Sequence, residues 1–168
     1  MKNRTIRAVL YTACCSLVIL GCSEADPAAP DQTEYVAQAS DFSGLTSWTE
    51  TVPARVGPDP ASAVGGAHGA DDSTLRRWMW IKQAGASRSA SGQFPNGTIL
   101  AKQTRRGDTV MMTLAMVKRG GSFNTAGKGW EWFVLNADGT IDTRGGAEVM
   151  GGACNACHAG ASDNVFTR

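Results

Sequence analysis

The sequence predicts a mainly β domain, a β-rich α+β fold in which an antiparallel sheet carries an N-terminal helix and a short C-terminal helix. Three observations predict it. Four segments dense in branched and aromatic residues are joined by hairpin-length turns, which favours antiparallel pairing over βαβ units. The 168 residues are 42% hydrophobic, with 20 Gly against 6 Pro, enough apolar material for a single core and enough glycine for tight turns. The formal charge is only +1, without the clustered excess of Lys and Arg that marks a nucleic-acid surface, so no nucleic-acid partner is expected.

The elements follow in chain order. Lys2, Arg4 and Arg7 precede an apolar stretch from Ala8 to Leu20. That stretch is shorter than the roughly 20 residues a bilayer requires, so residues 1–21 read as a secretion signal. Its end, Ile19-Leu20-Gly21-Cys22, looks like a bacterial lipobox, which would make Cys22 the lipidated N-terminus; an ordinary signal peptide cut near Ala25 or Ala28 is the alternative. Ser23 rather than Asp follows the cysteine, which favours the outer membrane. The expected location is therefore the bacterial periplasm, with membrane contact through the N-terminal lipid anchor alone. Removing residues 1–21 leaves 13 basic against 15 acidic side chains. Residues 22–34, small, acidic and Pro-containing, read as a flexible tether, and the domain as residues 35–168.

Within the domain, Tyr35, Phe42, Leu45 and Trp48 fit one helical face, although Gly44 interrupts it. A Pro- and Gly-rich loop spans 53–69. Strands are expected over 74–82, over 97–104 after the turn Phe94-Pro95-Asn96-Gly97, over 109–118 and over 129–135. A short strand over 140–142 follows the turn Asn136-Ala137-Asp138-Gly139, and 147–160 reads as a Gly-interrupted helix.

Of the five cysteines, Cys14 and Cys15 leave with the signal and Cys22 is lipidated, so Cys154 and Cys157 remain, too few for a disulfide scaffold. They belong to Cys154-Asn155-Ala156-Cys157-His158, the haem-c attachment spacing. Two thiols about one helical turn apart can add across the two haem vinyl groups, and the adjacent imidazole of His158 is then aimed at the iron. One covalent haem c is expected. A zinc site lacks ligands, because beyond the motif only His68 is a borderline donor besides Asp and Glu. A thioredoxin-like pair would open a long helix, whereas Gly151 and Gly152 precede this one and few residues follow it.

The sixth iron position decides what such a haem does: Met or His closes it for electron transfer, and an open position serves ligand binding or catalysis. No Met or His follows His158, so a sixth ligand would come from upstream, from His68, Met79, Met111, Met112, Met116 or Met150. For the strand methionines the plainer expectation is sheet packing. For His68, in Gly65-Gly66-Ala67-His68-Gly69, it is a structural contact, such as one to a haem propionate.

The span from His68 to Arg168 resembles the cytochrome P-460 / cytochrome c′-beta family. The resemblance rests on His68-Gly69, Leu75-Arg76, Phe94-Pro95-x-Gly97-Thr98-x-Leu100-x-Lys102, and Met116-Val117-Lys118-Arg119. It continues through Gly129-Trp130-x-Trp132, Asp138-Gly139, the cysteine motif, and Asp163-x-Val165-Phe166-Thr167. It implies an antiparallel β protein with a five-coordinate, high-spin haem. Of two branches, one oxidises hydroxylamine, toward nitrous oxide, and carries a lysine-to-haem cross-link that maps onto Lys102. The other lacks the cross-link, lines the distal side with apolar groups and binds nitric oxide. Arg76 maps onto an arginine near the haem pocket of the oxidising branch. That branch's distal carboxylate aligns near Leu114-Ala115-Met116, where this sequence has no acid; Glu131 is a weak substitute expected to face solvent. The resemblance also implies a redox partner cytochrome, and a homodimer, since members often dimerise.

Three functions stay open at this point: a hydroxylamine-oxidising enzyme, a nitric oxide-binding protein without turnover, and an electron carrier with an upstream sixth ligand.

Overall fold

The computed structural model describes residues 33–56, 68 and 72–166. The expected signal segment, Cys22 and the tether up to residue 32 lie outside the described residues. The described residues belong to one compact unit, 32–168. None of their helices is long and apolar enough to cross a membrane.

The domain is mainly β. Six strands, β1 (Thr49–Val56), β2 (Arg76–Ile81), β3 (Ile99–Arg106), β4 (Thr109–Lys118), β5 (Trp130–Leu135) and β6 (Ile141–Gly145), form one sheet in sequential order. Every neighbouring pair is antiparallel. A sequential meander needs only short connections, and the Gly107-Asp108 turn between β3 and β4 is the tightest of them. The one α-helix among the described residues, α1 (Ala153–His158), is the cysteine motif itself.

Cross-strand pairing sorts the side chains into two faces, because directly paired residues point the same way and neighbours along a strand point oppositely. On the back face, Ala101, Ala115 and Phe133 align with one another, as do Ile99 and Val117. They form a buried cluster with Ala37 and Phe42, and Tyr35, Leu45 and Trp48 pack against it. On the front face, Leu100, Met116 and Trp132 align and cluster with Ile81, Phe94, Trp130, Val149 and Val165, with Cys154 packed against them. Fully burying one such large side chain is worth about 1.5–3 kcal/mol, so each face contributes substantially to folding.

The expected N-terminal helix is absent. Residues 39–42 and 45–47 form two 3-10 turns, separated at Gly44, which sits at φ 63°. The left-handed backbone there ends any α-helix, yet the predicted apolar residues still cover the sheet. The structured chain also starts earlier than expected. The Thr33 carbonyl accepts a hydrogen bond from Asn96 at 3.2 Å, and Glu34 pairs with Arg119 at 2.8 Å.

β1 was not foreseen: it begins just after the expected helical stretch 35–48, and its second half lay in the expected loop 53–69. Pro53 inside it is exposed and lies on the sheet's first, edge strand, where a missing N–H costs no ladder bond. The last strand is longer than expected, and the C-terminal helix shorter, preceded by a 3-10 turn at Val149–Gly152.

Candidate functional site

The site grows from α1 on the front face. A six-residue helix is too short to hold itself, and α1 contains no fully buried residue. Its support comes from polar anchors. The Trp132 indole N–H donates to Asn155 Oδ1 at 2.8 Å. Asn155 and Asn124 exchange side-chain amide bonds at 2.8 and 3.0 Å. Asn124 in turn donates to the Trp130 carbonyl at 2.7 Å and accepts from the Gly127 N–H at 3.2 Å. A Cβ at Gly127 would come within 2.6 Å of Asn155 Oδ1 and closer still to Asn124, so only glycine fits beside the amide pair. The middle of the motif is thereby pinned to β5 and to the 120–129 loop.

The imidazole is aimed by a second set of contacts. His158 Nδ1 lies 2.7 Å from the Asn164 carbonyl. A carbonyl only accepts, so Nδ1 carries the proton and the lone pair resides on Nε2, the tautomer that a metal-ligating histidine needs. The accepting segment is itself clamped. Asp163 and Asn164 adopt left-handed backbone at φ 47° and 56°. Asp163 pairs with the buried Lys118 ammonium at 2.6 Å and accepts from the Phe94 N–H at 2.8 Å. Its carbonyl accepts the Trp130 indole N–H at 2.7 Å. Arg88 donates to the carbonyls of Ser162 and Val165 at 3.0 and 2.9 Å. Trp132 and Phe166 pack on the imidazole with ring centroids at 4.7 and 5.5 Å.

The two thiols are half-buried, and Cys154 packs on the front-face cluster. Burial pushes the Cys154 thiol up, the neighbouring Cys157 raises it further, and a backbone hydrogen bond only partly opposes them. Thiol–disulfide catalysts need the opposite, a depressed thiolate pKa, so the environment does not favour a redox pair. Nor do the described residues include a group of three or more His, Cys, Asp or Glu side chains that could hold a metal ion. The donor set does fit haem c: two thiols on one helical turn, an imidazole with Nε2 as acceptor, and an apolar floor of Leu100, Met116, Trp132 and Val165.

The remaining predicted residues separate by face. Lys102 is half-buried and pairs with Leu114 on β4 and Met79 on β2, two places along β3 from Leu100, and so lies on the front face. Arg76 does not. It pairs with Arg105, and both guanidiniums sit over the Trp78 ring, at 5.3 and 5.2 Å, on the back face. The front-face arginine of β2 is Arg77, which is 3% exposed, pairs with Thr104 and donates to the Leu75 carbonyl at 3.3 Å. Arg76-Arg77 in the sequence offered both, and only the strand's register decides between them.

Glu131 also differs from expectation. It is buried on the back face, 2% exposed, between Arg144 at 2.8 Å and Arg119 at 3.7 Å. Burial is tolerable there because two cations compensate the charge. Position 114, on the front face beside Lys102, is a half-buried leucine. His68 brings its ring to 6.2 Å from that of His158, centroid to centroid.

Sequence reasoning missed Asn124, Asn155, Lys118, Asp163 and Asn164 as the site's supports. The available signals were the Asn at the second motif position and the presence of Lys118 and Asp163 among the residues that carry the resemblance. These features define a mainly β, six-stranded antiparallel domain with a two-cysteine, one-histidine helix on its front face. No family model, curated protein or solved structure matches the chain.

Proposed function

We propose that the chain is a secreted-side, lipid-anchored mono-haem c-type cytochrome that binds a small nitrogen ligand, nitric oxide in the first instance, on the front face of its sheet. The observation that carries this reading is the 2.7 Å contact of His158 Nδ1 with the Asn164 carbonyl at the end of the two-cysteine helix, which leaves Nε2 as the acceptor. Cys154 and Cys157 would hold the porphyrin by thioether bonds, and His158 Nε2 would ligate its iron. When bound, the haem supplies an iron that takes small diatomic ligands. The chain's own residues orient the imidazole, keep its tautomer and line the wall beyond the motif.

The composition of that wall supports binding over turnover. Met79, Leu114 and Val134 flank Lys102 across the front face. Oxidation of hydroxylamine releases protons, and a general base is worth about 10²–10⁴-fold. Glu131, the acid weighed as a substitute base, is committed to Arg144 and Arg119 on the other face. A second reading, hydroxylamine oxidation with electrons passed to a partner cytochrome, draws support from Lys102 lying on the front face, where a cross-link to haem would require it.

Absorbance titration of the reduced holoprotein tests the reading. Saturable nitric oxide binding without hydroxylamine consumption is expected. Steady hydroxylamine oxidation with a suitable electron acceptor would favour the second reading, and indifference to both ligands would overturn both.

A further inference from the structure

The chain contains only two histidines, His68 and His158, and they meet. Their ring centroids are 6.2 Å apart with planes inclined at 51°. Two imidazoles bound to one metal from opposite sides, each through a bond of about 2 Å, hold their ring centroids about 6 Å apart. An ordinary ring contact reaches the same range, so the separation needs to be weighed with the surroundings.

Trp132 and Phe166 already pack on the His158 ring at 4.7 and 5.5 Å, and its Nδ1 is committed to the Asn164 carbonyl. A third ring brought there in addition carries a metal donor where stacking alone is already supplied. His68 also stands at φ 63°, a left-handed backbone that a β-carbon disfavours, and its Nδ1 is buried. Of the other candidate donors, Met116 is sealed in the front-face cluster and Met111 and Met150 are exposed. Met79 and Met112 are half-buried on the front face, opposite Lys102 and Thr104, and the substitutions at position 68 separate them from His68.

We propose that His68 is a displaceable sixth ligand: its imidazole fills the iron position opposite His158 until a small ligand competes it away. The proposal rests on the haem reading above and adds regulation to it. The resting site is closed, and the apparent affinity for an incoming ligand is lowered by the fraction of time His68 occupies the position. A neutral diatomic that binds iron strongly displaces it, whereas a weak donor does not.

The test compares ferric absorbance and electron paramagnetic resonance spectra of wild-type holoprotein with His68→Ala, and with His68→Gln in case the smaller side chain disturbs folding. Wild type is expected to be six-coordinate and low-spin, and both variants high-spin. Added imidazole should return His68→Ala to low spin, which a merely structural role would not do. Nitric oxide should bind the variants about tenfold faster or more, because no internal ligand has to leave. A wild-type protein that is high-spin, or a low-spin spectrum untouched by substitution at position 68, overturns the proposal while leaving the haem reading intact. A chain that carries no covalent haem under denaturing conditions overturns the haem reading, and the proposal with it.

Discussion

On the back face of the sheet, Phe42 meets Phe133 with ring centroids at 4.9 Å, Arg144 lies over that same ring, and Glu131 sits between two arginines. On the front face, the equivalent strip runs from the packed Leu100–Met116–Trp132 row to the half-buried Lys102–Leu114–Val134 row, beneath a six-residue helix with no fully buried residue. The back face is closed by the chain's own apolar turns. The front face is held by directional bonds, from Asn155, Asn124, Lys118 and Asp163, that fix positions without filling volume. Hydrophobic burial is non-directional and suits the first task; aiming one nitrogen lone pair requires hydrogen bonds and ion pairs of defined geometry.

Both faces bury a carboxylate paired with a cation, and removing either should cost stability of the same order while only one should reach the cofactor. Asp163→Ala leaves Lys118 buried without its partner, a loss of about 3–5 kcal/mol, and should also alter the haem spectrum because the Asn164 carbonyl moves. Glu131→Ala should show the stability loss in denaturant unfolding with an unchanged spectrum. A spectral change in the Glu131 variant, or none in the Asp163 variant, would break the comparison.

Smaller effects sharpen it. Asn155→Ala removes the acceptor of the Trp132 indole and one half of the amide pair, leaving buried donors unsatisfied at about 1–3 kcal/mol each. Unfolding of the holoprotein followed by haem absorbance and by tryptophan fluorescence should show the loss in both signals. Lys102→Leu should leave stability nearly unchanged and test the cross-link. A ferrous Soret band far to the red in wild type that reverts to an ordinary haem-c position in the variant supports it, and identical spectra would make the lysine only part of the wall.

The smallest effect lies on the back-face turns. Burial pushes the Asp41 carboxyl up, but the Gln38 N–H, Lys82 and Tyr35 together hold it below its ordinary 3.8. A carboxyl lowered in the folded state stabilises at neutral pH, and the contribution is lost as pH falls below 3.8 through the folded value. Asp41→Asn should therefore cost under about 1 kcal/mol at pH 7, and the gap from wild type should close in acid. A gap that persists there would assign the cost to the capping bond from the Gln38 N–H rather than to the charge.

Much of the sheet was legible because its signals are local. Residues 109–118 alternate and cluster as a strand should, and β4 occupies that same span. β1 was illegible because Pro53 argues against a strand, and only its edge position removes the objection. The two-cysteine, one-histidine motif was legible from its spacing alone. The aiming of its histidine was not, since Asn164 offers a backbone carbonyl, which no side-chain pattern announces, and Lys118 meets Asp163 across 45 residues. Arg76 and Glu131 illustrate the same limit. Residue type suggested a role, but a one-residue difference in strand parity sets Arg76 and Glu131 on the back face and Arg77 on the front.

The most direct measurement is the mass of the chain under denaturing conditions after expression in a host that attaches haem c. The lipidated mature polypeptide plus one haem is expected for wild type, with the haem mass lost or made unstable when Cys154 and Cys157 are both replaced by serine. A wild-type mass equal to the polypeptide and its lipid alone would contradict the account.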